Sequence, residues 1–69
     1  MTHFTVEVER ETDKRWIAEV RDLPGVLVYG RTRKQATMKA QALALRVLAD
    51  RIEHGEKIPS IAQHFVEAA

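Results

Sequence analysis

Asp22-Leu23-Pro24-Gly25-Val26 is the stretch on which the fold turns. A Pro-Gly pair punctuates the chain as a tight bend. Before it, residues 15–21 alternate: Trp16, Ala18 and Val20 fall on one face, Ile17, Glu19 and Arg21 on the other. After it, Val26-Leu27-Val28-Tyr29 is a short β-rich run closed by Gly30. Further back, Phe4, Val6 and Val8 alternate with Thr5, Glu7 and Glu9, so residues 3–10 read as a half-buried strand. Glu11-Thr12-Asp13-Lys14 is a polar link of hairpin length. Three short strands with tight links make an antiparallel meander.

Beyond Gly30 the period changes. Thr32 is a good N-cap, and Gln35 three residues on completes the capping-box pattern. The helix this opens runs to about His54, with Gly55 as its C-terminal stop. Such a helix is roughly 33 Å long, whereas a six-residue strand spans about 20 Å, so the helix overhangs the sheet. Ile58-Pro59 breaks the chain, and Gln63 to Glu67 offers a weak last strand. The expected order is β-β-β-α-β, an α+β fold with one helix packed on a four-stranded mixed sheet in the order 3-2-1-4. A right-handed crossover would set the last strand parallel to the first. By fold-level analogy this is the first half of a ribonuclease H fold.

The bulk numbers set the frame. Sixty-nine residues make a single domain. A chain of this size buries only about 60% of its unfolded surface and usually needs a staple. With no cysteine, disulfides and thiolate metal sites are excluded, which leaves association with another chain. No apolar run approaches the roughly 20 residues of a membrane span and the N-terminus lacks a signal pattern, so a cytoplasmic location is expected. Eleven Lys/Arg against ten Asp/Glu give a formal charge of +1, without the strongly basic balance of a nucleic-acid domain.

The helix carries two apolar stripes. Ala36, Ala40, Leu43 and Val47, with Ala44 and Leu48 on the flank, form the natural cover for the sheet. Met38, Ala42, Leu45, Ala49 and Ile52 lie on the opposite side at the 4-3-4-3 spacing of a coiled-coil seam. A one-layer sheet covers only one side of a helix. The second stripe is either a patchy surface or the interface of a homo-oligomer, a dimer or a tetramer, and the marginal size favours the interface. The sheet raises a parallel question. Ile17 is left outside with Glu19, joined by either Leu27 and Tyr29 or Val26 and Val28. Ile17, Glu19, Val26, Val28 and Tyr29 are the candidate partner-binding residues of the sheet face and third-strand edge.

Trp16-x-Ala18-x-Val20-x-Asp22-Leu23-Pro24-Gly25, then Gly30-x-Thr32, Ala36, Ala40 and finally Gly55-Glu56-x-Ile58-Pro59 resemble the HicB-type antitoxin domain. The match extends from about Phe4 to Pro59. The resemblance implies a protein that binds and neutralises a small ribonuclease toxin of the HicA type and is not itself an enzyme. Many members carry a C-terminal DNA-binding segment; here 1–69 is expected to be one HicB-like domain without one. Direct nucleic-acid binding is accordingly not expected. The outward positions Met38, Ala42, Leu45 and Ala49, commonly charged or polar in that family, are apolar here.

Catalysis by two metals needs several converging carboxylates. Glu7, Glu9 and Glu19 share a strand face, but the sheet-facing stripe of the helix supplies no acid, so no catalytic residue is assigned. His3 and His64 would approach each other if the first and last strands paired, and two histidines alone make a poor metal site. His54 in the last helical turn suits the helix dipole. No metal or cofactor is called for. Arg31, Arg33 and Lys34 crowd the helix N-terminus, where the dipole disfavours cations. They form a candidate anion-binding patch, with weak nucleic-acid binding through it as an alternative function, or simply a solvated charge cluster, which the lack of accompanying aromatic residues in sequence favours.

Overall fold

The computed structural model describes residues 4–57. Strands β1 (Val6–Arg10), β2 (Trp16–Val20) and β3 (Leu27–Gly30) are followed by helix α1 (Arg33–Glu53). Among the described residues the sheet has three strands in the order β1-β2-β3, and both pairings are antiparallel. This corrects the expected four-stranded mixed sheet in the order 3-2-1-4, and the ribonuclease H outline with it. The architecture is β-β-β-α, a small α+β fold. The fourth strand rested on Gln63 to Glu67, a segment with only two strong β-formers, and it lies outside the described residues. Ile58-Pro59 and the proposed His3–His64 approach lie outside them too.

The corner does what its residues dictate. Pro24 and Gly25 take the two central positions of a turn closed by the Val26 N–H donating to the Leu23 carbonyl at 3.1 Å. Gly25 has φ +92, the left-handed value that a type II turn demands at its third position. Flanking bonds from the Val20 N–H to the Val26 carbonyl and from the Leu23 N–H to the Val20 carbonyl lock the corner to β2. Leu23 and Val26 are thereby driven inward and are among the most deeply buried side chains. Removing each from water is worth about 1.5–3 kcal/mol.

Register fixes which residues share a face. Val8, Ala18 and Val28 line up across the three strands, with Val6 opposite Val20 and Trp16 opposite Gly30. These point at the helix, where Ala36, Ala40, Ala44 and Leu48 complete the core. Three alanines in that row let the helix backbone lie close to the strands. Leu43 and Val47, placed at the centre of the stripe by helical periodicity, are half-buried on its flank. The helix ends are capped. Thr32 Oγ1 accepts from the Gln35 N–H at 3.0 Å, while the Gln35 side chain accepts from the Arg31 N–H at 2.7 Å, one residue earlier than a capping box would place it. At the far end Gly55 has φ +68, its N–H donates to Ile52 and the Glu56 N–H donates to Arg51, closing a Schellman motif.

Candidate functional site

The sheet face turned away from the helix is built by the other phase of each strand. Glu9, Ile17 and Tyr29 align in one row across it, and Glu7, Glu19 and Leu27 in the next. Glu7 directly opposes Glu19, an unfavourable like-charge pair. Arg21 offsets it, with Nε 2.8 Å from Glu7 and 3.6 Å from Glu19. The result is an apolar centre of Ile17, Leu27 and Tyr29 bordered by carboxylates. Leu27 is 46% exposed and Tyr29 40% exposed.

Of the candidate residues on this surface, Ile17, Glu19 and Tyr29 share the outer face. Val26 and Val28 do not. Val26 is 1% exposed within the core, and Val28 is half-buried against it, so neither presents a side chain to a partner on the outer face. Leu27 belongs in their place. Its membership follows from counting in twos back from Tyr29, a signal that the all-apolar run Val26-Leu27-Val28 masks.

On α1, Met38, Leu45 and Ile52 are among the exposed large apolar residues, and Leu45 is 68% exposed. Ala49 is exposed and Ala42 half-buried. All five lie off the sheet-facing row. Leu45 also reaches the rim of a hollow shared with Phe4, Val6 and Val20, so the stripe merges with the open side of β1.

Arg31, Arg33 and Lys34 are all exposed around the start of α1, whose first turn holds no acid. The fold adds residues that the patch lacks in sequence. The Arg33 guanidinium lies 5.7 Å and that of Arg10 5.9 Å from the Trp16 ring centre. Arg15 stacks at 4.5 Å on Tyr29, and Lys39 Nζ donates to the Tyr29 carbonyl at 3.1 Å. Arg15 is held by Asp13. The Arg15 backbone N–H donates to that carboxylate, and together with the guanidinium it keeps the Asp13 carboxyl below the usual carboxylate range.

On the outer face Arg21 holds both Glu7 and Glu19. Among the described residues, Asp50, His54 and Glu56 form the one trio of potential metal ligands in mutual reach, all exposed beyond the core. The His54 Nδ1 lies 2.7 Å from the Asp50 carbonyl and 3.3 Å from its carboxylate, as a C-terminal helix position favours. No described helix is long and apolar enough to cross a membrane. No family model, curated protein or solved structure matches the chain.

Proposed function

We propose that this chain is a non-catalytic, cytoplasmic protein-binding module that neutralises a small ribonuclease toxin of the HicA type by direct binding, as its resemblance to HicB-type antitoxins implies. The observation that carries this is the outer sheet face, where Ile17, Leu27 and Tyr29 form an apolar centre beside Glu7, Glu9 and Glu19. An apolar anchor with a charged rim is the usual anatomy of a protein interface. A ribonuclease must attract RNA and therefore presents basic surface, which those carboxylates complement.

The test is rescue of growth when this chain is co-expressed with the ribonuclease-like product of the adjacent gene. Leu27→Glu and Tyr29→Ala are expected to abolish rescue and Leu45→Glu to leave it intact. The opposite pattern would remove the site from the sheet.

A second reading concerns assembly. Met38, Leu45 and Ile52 leave a row of large apolar side chains in water on the helix, in a domain too small to tolerate this easily. That row supports self-association, in the toxin-binding protein or in an orphan oligomer with no toxin.

A further inference from the structure

Charge is segregated in this molecule far more than its net value of +1 suggests. From Leu23 to Ala49 the chain has no Asp or Glu, yet it carries Arg31, Arg33, Lys34, Lys39 and Arg46. Folding gathers Arg31, Lys39 and Arg46 along the open edge of β3, sets Lys34 beyond them on the first turn of α1, and adds Arg15 from β2's leading end. A hollow of about 390 Å³ is lined by Arg15, Tyr29, Arg31 and Lys39. A neighbouring one continues past Lys34 and Met38, and a third past Leu27 and Arg46. Lys39 and either Gln35 or Tyr29 border adjoining hollows, so the three form one track, and among the described residues no carboxylate lines any of them.

We propose that this track binds the phosphate backbone of single-stranded nucleic acid, with Tyr29 and its stacked Arg15 as the platform for a base. Cations along a groove follow a polyphosphate chain, while an aromatic ring or a guanidinium plane accepts any base by stacking. Asp13 fixes the Arg15 guanidinium in place over the ring. An added peptide strand fits the same edge less well, because Lys39 already occupies the Tyr29 carbonyl that such a strand would use. The track shares Leu27 and Tyr29 with the carboxylate-bordered outer face, and its cations lie on the other side of them.

Fluorescence anisotropy with a labelled oligouridine, in a salt series, tests it. Four phosphate contacts, at Arg31, Lys34, Lys39 and Arg46, give a slope of log affinity against log salt of about −2.8 for a single strand. Lys39→Glu combined with Arg46→Glu is expected to weaken binding at least about tenfold and to flatten the slope by about 1.4. Tyr29→Ala should weaken binding about fivefold or more with the slope unchanged. Arg21→Glu, on the outer face, should leave the track's affinity nearly unaltered, and thermal melts confirm that each variant is folded. Absence of binding at low salt, or an equal loss with Arg21→Glu, overturns the proposal. So does inorganic polyphosphate competing as well as the oligonucleotide while Tyr29→Ala has no effect, since bases would then contribute nothing.

Discussion

At Gly30 the end of β3 passes so near the first turn of α1 that a Cβ would lie 2.6 Å from the Ala36 nitrogen and 2.9 Å from its Cα. Both are backbone atoms, so relief requires the helix itself to move. Gly30→Ala is expected to cost about 1–3 kcal/mol, out of a total that for a chain of this length is about 3–10 kcal/mol. Melting followed by circular dichroism should fall by roughly 5–20 °C. A drop of under two degrees would mean that the helix shifts at no cost. Gly25 makes the opposite case, with nothing within 4 Å of its missing side chain and only its φ to require glycine. Lys14 adopts the same left-handed region at φ 70 in the first hairpin, where glycine or asparagine is the usual occupant.

At the scale of elements, α1 depends on its first cap. Thr32→Ala removes the acceptor for the Gln35 N–H and should cost about 1 kcal/mol in urea unfolding, with Thr32→Ser recovering most of it. This helix was readable from sequence because its signals are local: cap, apolar row and terminal glycine each lie within a turn of what they govern. The meander was readable for the same reason, through alternation and the Pro-Gly bend. Register was not. Whether Val26 and Val28 or Leu27 and Tyr29 face outward is decided by the pairing of β3 with β2 and by burial of Val26 in the corner, neither of which a run of four apolar residues discloses. The basic track had the same obstacle. The acid-free interval from Leu23 to Ala49 is visible in sequence, but Arg15 and Tyr29 join it only through folding. The fourth strand expected from Gln63 to Glu67 lies outside the described residues.

Taken whole, the molecule offers three differently built surfaces: an apolar patch bordered by acid on the sheet, a cationic track beside β3, and the apolar row on α1. Self-association tests the last. The chain should scatter light as a dimer or tetramer, and Leu45→Glu with Ile52→Glu should reduce it to a monomer. An unchanged mass would show that the row is plain surface. The sheet order β1-β2-β3 repeats the order of the chain, and only Arg31 and Thr32 separate β3 from α1. Each element therefore meets its neighbour after a short loop closure, which costs little entropy. The return of α1 onto β1 is the long-range step. Folding should accordingly be intermediate in rate, slower than an all-helical bundle and faster than an all-β domain. Its barrier would lie at the docking of an already formed helix on the first strand.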